Sequence, residues 1–420
     1  GSPAPLAPHS FTDVAADAYY NTAVSWLVGT GITAGVAPGK YAPNANVTRG
    51  QMAVFLHRNS CGGTPIAVDG GERHNCVAKA DGTVACWGHN SDGQMGIGSS
   101  NNQQWTPVVV RGLNDATDIA TGSFHTCAVK ADSSVACWGN NRNGQLGDGT
   151  TTNRNLPVAV SGLSGVRSVT AGSYHTCATK TDGTVACWGL NNNGQIGDGT
   201  KTQRTTPVNV GAGLSGVTSV AAGAEHTCAQ KDDGTVACWG LNTRGQLGDG
   251  TNTNRSTPVT VSNLSGVTAV DSGWLHTCAA KSDGTVDCWG YNGDGQLGMG
   301  NTTDRNTPAT IPALAGVTAI GVGAYHNCAV KDGGTVSCWG YNKDGQAGDG
   351  TTSATRSSPV EVIGLTGAKS VAGGSYTNCA VKASGATLCW GSNWWGRLGD
   401  GTGTNRSTPV QVKYPNPIVR

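Results

Sequence analysis

Three residue types recur in this chain at spacings that could support chemistry. The cysteines Cys76/Cys86, Cys127/Cys137, Cys177/Cys187, Cys228/Cys238, Cys278/Cys288, Cys328/Cys338 and Cys379/Cys389 stand ten residues apart within each pair, and the pairs follow at intervals of 50 or 51 residues. A His-x-Cys sequence with a second Cys nearby resembles a zinc ligand set. Each unit offers only three such ligands, however, and the seventh has Thr377 in place of the His. Seven disulfides are the competing chemistry, and reduced, inert thiols the plain alternative. His125, His175, His226, His276 and His326 recur with the repeat, as do Asp148, Asp198, Asp249, Asp349 and Asp400 in Gly-Asp-Gly-Thr turns. Catalytic sites usually break repeat symmetry, so these residues are expected to be structural. The histidines should bond a neighbouring unit's backbone, and the aspartates should form Asx-turns, with a shallow calcium site as the alternative. The sequence contains no Ser/His/Asp set, P-loop or His-Glu-x-x-His, so neither an enzyme nor a cofactor is expected.

The elements that must position these residues are short strands. In the unit around Gly172–Val210, β-branched runs cover Val166–Ala171, His175–Lys180, Thr184–Trp188 and Thr206–Val210, divided by Gly, Asn and Asp clusters. Thr181-Asp182-Gly183 fits a three-residue hairpin loop with its Gly in the left-handed region. That loop sets Lys180 opposite Thr184, Thr179 opposite Val185, Ala178 opposite Ala186, and Cys177 opposite Cys187. Directly opposed residues of antiparallel strands are close enough for a disulfide. The other units keep this register, with Ser133 the only replacement for the Gly. The reading is therefore seven disulfides in an oxidising compartment, with Cys61 left over, free or paired between molecules. Four short strands in each of seven units predict an all-β fold, a seven-bladed β-propeller of four-stranded blades, because one unit cannot bury its own apolar face.

Variable positions fall on two loops of each unit. The turn before the repeated His and the loop after the repeated Trp-Gly must share a face, opposite the Asp-Gly hairpins. On that face lie Phe124, Tyr174, Trp274, Leu275, Tyr325 and Tyr376 from the first loop, with Glu72-Arg73 and Glu225 at the same positions elsewhere. The second loop adds Arg142, Arg244, Tyr291, Tyr341, Trp394 and Trp395. Aromatic and Arg side chains on varied loops over a rigid scaffold are what recognition surfaces use, padding between neighbouring turns being the bland alternative.

Composition bounds the rest. The chain carries 65 glycines against 3 phenylalanines and 3 methionines, which leaves little for a helical core. A net charge of +1 provides no field for nucleic acid or an anionic membrane, and no apolar run is long enough to span a bilayer. Residues 1–9 read as tag and linker, Gly1-Ser2 being a cloning scar before which an export signal is expected to have stood. Helical spacing of Ala23, Val24, Trp26 and Leu27, then Met52, Val54, Phe55 and Leu56, predicts a small α-helical module over residues 10–60. Residues 61–65 form a linker, 66–413 the propeller and 414–420 a tail.

Two resemblances fit these segments. Phe11, Asp13, Val14, Trp26, Leu27, Gly31-Ile32-Thr33, Gly35, Tyr41, Pro43 and Val47-Thr48-Arg49 resemble an S-layer homology module of bacterial surface proteins. That resemblance implies anchoring to cell-wall polysaccharide through Thr48 and Arg49, although Gly50-Gln51 departs from the family's small-acidic pair and the family generally uses three modules. The repeated Gly-x-x-His and Trp-Gly-x-Asn-x-x-Gly-Gln-Leu-Gly elements resemble the regulator of chromosome condensation repeat family. Its seven-bladed propellers include a chromatin-bound nucleotide exchange factor, receptor-like proteins and a secreted bacterial inhibitor of β-lactamases. The expectation is a secreted or cell-surface, monomeric, non-catalytic propeller that binds a protein or a cell-wall glycan. An inhibitor of an extracellular enzyme and a structural surface-layer component are the alternatives.

Overall fold

The computed structural model describes residues 63–100, 102–211, 214–312 and 314–414. The helical module expected over 10–60, with Thr48 and Arg49, and the odd Cys61 lie outside the described residues. Within them, consecutive strands pair antiparallel into seven four-stranded sheets, the blades of the expected propeller. In the third blade the strands are Val166–Ala171, His175–Lys180, Val185–Gly189 and Arg204–Asn209. The first two coincide with the sequence reading. The third begins one residue later, because Asp182 Oδ1 accepts both the N–H and the hydroxyl of Thr184 and keeps that residue in the turn. The fourth begins two residues earlier, because Arg204 pairs with Gly189 across a bulge.

The hairpin register is as expected, Thr179 opposite Val185, Ala178 opposite Ala186 and Cys177 opposite Cys187. Gly183 sits at φ +78, and Ser133 takes φ +62 at the same point of the second blade. The same register closes one disulfide in every blade. Cys76 bonds Cys86, Cys127 bonds Cys137, Cys177 bonds Cys187 and Cys228 bonds Cys238. Cys278 bonds Cys288, Cys328 bonds Cys338 and Cys379 bonds Cys389. In each pair the Cα atoms stand 4.1 or 4.2 Å apart. Because the sulfurs bond each other, the zinc alternative loses its ligands and the reduced-thiol alternative its thiols. Among the described residues no cluster of His, Cys, Asp or Glu is arranged to hold a metal ion.

Strand alternation decides how blades stack. Trp188 and Ala178 face back into a core shared with the second blade's Cys127, Val129, Cys137 and Leu146. Cys177, Val185 and Cys187 face forward onto Ala229 and Trp239 of the fourth blade. The repeated Trp is fully buried in every blade. At roughly 200 Å² per indole and ~25 cal/mol per Å², each contributes about 5 kcal/mol of apolar burial to an interface. Each indole also donates Nε1–H to a carbonyl of the preceding blade, as Trp188 does to Gln145 O at 2.8 Å.

On the axis, the first loop of each blade contributes a Gly to a ring. A Cβ on Gly172 would lie 2.4 Å from Gly223 O and 2.3 Å from His175 Cε1, and Gly71, Gly122, Gly223, Gly273 and Gly323 are equally tight. The ring leaves a cavity of about 70 Å³, with Glu72 and Trp274 among its lining. The last blade meets the first without exchanging a strand. Trp87 and Val77 pack on Cys379, Leu398 and Val412, and the indole of Trp87 donates to Arg397 O at 2.6 Å. Residues Thr64–Tyr414 form one compact unit.

Candidate functional site

The repeated histidines are buried completely and form a ladder between blades. Nε2 of His125 lies 2.9 Å from Thr176 Oγ1 of the next blade, and that hydroxyl donates to Gln145 O at 2.9 Å. With the hydroxyl proton committed, His125 must donate through Nε2. His276 confirms the tautomer, since its acceptor is Asn327 Oδ1 at 2.8 Å while Asn327 Nδ2 donates to Gln296 O. The neighbouring blade is the partner, as expected, but the bond goes to a side chain rather than to the backbone. Nδ1 of each of these histidines is sealed without a partner. Desolvation pushes the pKa of His74, His125 and His226 down to about 3, and of His175, His276 and His326 to about 4. Neutral rings at this depth hold blades together and are unavailable as acids or bases.

The aspartates form the expected Asx-turns. Asp148 Oδ1 accepts the N–H and hydroxyl of Thr150 at 3.0 and 2.7 Å, while Oδ2 accepts Arg154 Nε at 2.9 Å. Arg255, Arg356 and Arg406 clamp Asp249, Asp349 and Asp400 likewise. A guanidinium occupies the side of the carboxylate that a calcium ion would need.

The two variable loops meet in every blade. The residue after each Trp-Gly donates its N–H to the carbonyl before the repeated His, as in His89 to Arg73, Asn140 to Phe124, Tyr291 to Leu275, Tyr341 to Tyr325 and Ser392 to Tyr376. Their side chains form three aromatic groups. Tyr325 contacts Trp274, Tyr341 and Tyr376 with ring centres 5.1, 6.5 and 6.2 Å apart. Burial, then neighbouring Tyr376, pushes the Tyr325 phenol up to about 12. Phe124 stacks on Tyr174 at 6.3 Å, and Trp394 meets Trp395 edge-on. Arg73 joins the last two groups, lying over Phe124 at 5.0 Å and Trp395 at 4.8 Å. Tyr291 is covered by Arg244 at 5.4 Å. Leu275 and Arg142 stand in the same loops outside these ring groups, and Arg142 is exposed. Trp394 is 64% exposed, the largest such value among exposed apolar side chains of the described residues. Sequence reasoning missed Arg397 and His89. The signal for Arg397 was visible, since the seventh unit reads Gly-Arg-Leu-Gly where the other units carry Gln at the Arg position.

Comparison with known proteins fits this architecture. Residues 45–315 match the RCC1-like domain, residues 317–346 and 384–420 match regulator of chromosome condensation (RCC1) repeats, and residues 10–53 match the S-layer homology domain. The ultraviolet-B receptor UVR8 of Arabidopsis thaliana is 32% identical over 207 residues, which cover 47% of this chain and 36% of that protein. Protein pim1 of Schizosaccharomyces pombe is 32% identical over 168 residues, 35% of this chain and 30% of that one. The chain thus spans about a third of the length of these two relatives. Human WBSCR16 superimposes with a TM-score of 0.73 at 23% identity, covering 80% of this chain and 95% of that one. Yeast RCC1 (Prp20), in its complex with Kap60, gives 0.70 at 21%, with 91% of each chain covered. At these identities the superpositions establish the fold alone.

Proposed function

The chain belongs to the RCC1-like domain family, and from that premise we propose that it is a non-catalytic, exported propeller that recognises a protein partner through the aromatic and arginine-bearing loop face. The observation that carries this reading is the division of labour among the side chains. The groups that could do chemistry are spent on structure, the cysteines in disulfides, the histidines in the ladder and the aspartates under guanidinium clamps. The residues that vary between units gather instead on one loop face. Rings such as Trp274, Tyr341 and Trp394 bind when a partner desolvates them, at low cost in side-chain entropy. Protein binding also accords with the family, in which a yeast relative was crystallised with Kap60. An extracellular site accords with seven disulfides and with the S-layer homology match over residues 10–53.

The test is capture. The immobilised protein is exposed to the extracellular fraction of its native cells, and retained proteins are identified by mass spectrometry. A variant carrying Trp274→Ala, Tyr291→Ala and Trp394→Ala should melt within a few degrees of the parent, yet hold the partner at least roughly tenfold more weakly. A variant that binds equally well sinks the recognition-face reading. If the retained partner is an enzyme whose turnover stops on binding, the role of the face is inhibition.

A further inference from the structure

Six of the seven Trp-Gly-x-Asn loops end in a Gln with two tasks. Its main-chain oxygen accepts the next blade's Trp, and its side-chain oxygen accepts a loop N–H, as Gln94 does from Trp138 and from Asp92. In the seventh loop Arg397 keeps the first task, taking Trp87 Nε1 and Asn75 Nδ2 on its carbonyl at 2.6 Å. A guanidinium cannot accept, so the second task lapses. Trp395, the residue that this bond would have held, takes φ +66, a left-handed conformation found at only two other non-Gly residues among those described.

The guanidinium of Arg397 is the unusual group. The residue is only 5% exposed, and its Nε and Nη1 are sealed from solvent with no hydrogen-bond partner. Nη2 is not among the sealed atoms. Cζ lies 5.0 Å from the centre of the Trp395 ring and 5.7 Å from that of Tyr376. The same indole carries Arg73 at 4.8 Å, so one ring serves two cations. The nearby carboxylate of Glu72 is already engaged by Arg73 Nε at 3.3 Å. Burial, the largest cause, pulls the Arg397 pKa down to about 10 although the Glu72 carboxylate pushes it up, with Arg73 adding to the fall, and the group is still charged at neutral pH. Four of the Gln side chains also have an unpartnered Nε2. Those amides are neutral, so what sets the seventh loop apart is a buried charge whose nearby carboxylate, Glu72, is shared with Arg73. Two cations sharing one carboxylate at such burial are unfavourable, and a ligand that brings a second carboxylate is rewarded.

We propose that Arg397, assisted by Arg73 and walled by Trp395 and Tyr376, is a receptor for one carboxylate, presented by an Asp or Glu side chain of the protein partner that docks on this face. The guanidinium can give an entering carboxylate a charge-assisted N–H···O bond. With Nε and Nη1 sealed, approach is along Nη2 beside two ring walls, a slot that suits a flat group on an apolar stem better than a tetrahedral phosphate. The inference rests on the loop face being a protein-binding surface, but its test needs no partner.

The probe is the capped peptide acetyl-Gly-Glu-Gly-amide, added at millimolar concentration to the full chain while the Trp395 indole N–H is followed by nitrogen-edited NMR. The Glu peptide should shift that signal saturably, and acetyl-Gly-Gln-Gly-amide should not. Arg397→Gln restores the residue of the other six units, so it should fold with a melting temperature no lower than the parent's. Its affinity for the Glu peptide should fall at least roughly tenfold, the loss expected when a charge-assisted hydrogen bond is removed. Should it fail to fold, Arg73→Gln takes its place with the same readout and a smaller expected loss. Three outcomes overturn the proposal: no saturable shift, unchanged binding by the variant, or tighter binding of inorganic phosphate than of the Glu peptide. If it fails while partner capture still depends on Trp274, Tyr291 and Trp394, the carboxylate receptor is wrong and the recognition face stands.

Discussion

Acid should unfold this propeller through its histidines before its ordinary carboxylates titrate. His74, His125 and His226 are held at about 3, and His175, His276 and His326 at about 4, all by burial. In the unfolded chain each returns to about 6.5. A folded value below the unfolded one means that the stability from these groups is fully present above pH ~6.5 and is lost as pH falls toward the folded values. At about pH 5 each His has given up about 1.5 units, or about 2 kcal/mol, so the six together remove about 12 kcal/mol. Three buried carboxylates work the other way, Asp118 being raised chiefly by desolvation. Asp69 is raised to about 6 and Asp271 to about 7, chiefly by desolvation, so their contribution grows as pH falls through those values. Between about pH 7 and 5 they return about 4 kcal/mol, leaving a net loss of about 8 kcal/mol against a typical domain stability of about 5–15 kcal/mol. The assay is urea unfolding followed by near-ultraviolet circular dichroism at several pH values and constant ionic strength. The midpoint should fall steeply between about pH 6.5 and 5. A variant carrying His125→Thr, His175→Thr and His226→Thr copies the residue already present at Thr377; its remaining three histidines remove about 6 kcal/mol against the same return of about 4, so its net loss should be about 2 kcal/mol, about a quarter of the parent's. A flat midpoint over this range, or a slope untouched in the variant, would refute the argument that the ladder is what acid breaks.

Further outcomes follow from other parts of the ring. Alkylation under denaturing, non-reducing conditions should leave the cysteines from Cys76 to Cys389 unlabelled, and labelling should follow reductant; free labelling beforehand removes the disulfides. Gly172→Ala sets a methyl against Gly223 O and the His175 ring, and should cost more than about 3 kcal/mol. Gly162→Ala meets nothing within 4 Å but keeps φ +67, and should cost only about 1–2 kcal/mol in the same thermal melts. Equal costs would mean that the axial ring is not close-packed. On the loop face, Trp274→Ala, Tyr291→Ala and Trp394→Ala should each leave stability within about 1 kcal/mol while weakening partner capture.

The blades were legible in the sequence because their determinants are local. The Asp-Gly hairpin sets the register, and that register by itself brings Cys177 opposite Cys187. Boundaries set by longer connections were less legible. The fourth strand starts at Arg204 because Asp198, six residues earlier, clamps its guanidinium, a bond invisible to strand propensity. The acceptor of each histidine lies 51 or 52 residues away on the next blade, so the sequence revealed the ladder's period but not its partner. The aromatic loops could be placed on one face from topology alone. That Arg73 would bridge Phe124 and Trp395 depends on the first and last blades meeting, which no local pattern states.

That meeting has a consequence of its own. Each blade is a contiguous stretch of chain, so the ring is a bracelet fastened without a threaded strand. Its clasp is one rung short, because Thr377 replaces the His that would reach Asn75, and Asn75 Oδ1 is left buried with no partner. Opening fluctuations should begin there rather than at the six complete joints, and hydrogen exchange should be fastest along that joint. Arg397 and Trp395 stand on the clasp itself. A ligand seated between them would share its binding energy with the closure of the ring, and by reciprocity a ring sprung at this joint would lose affinity by the factor through which occupancy holds it shut. The same contiguity implies that the chain could be reopened at another inter-blade loop, with its present ends joined, and still wear the same bracelet.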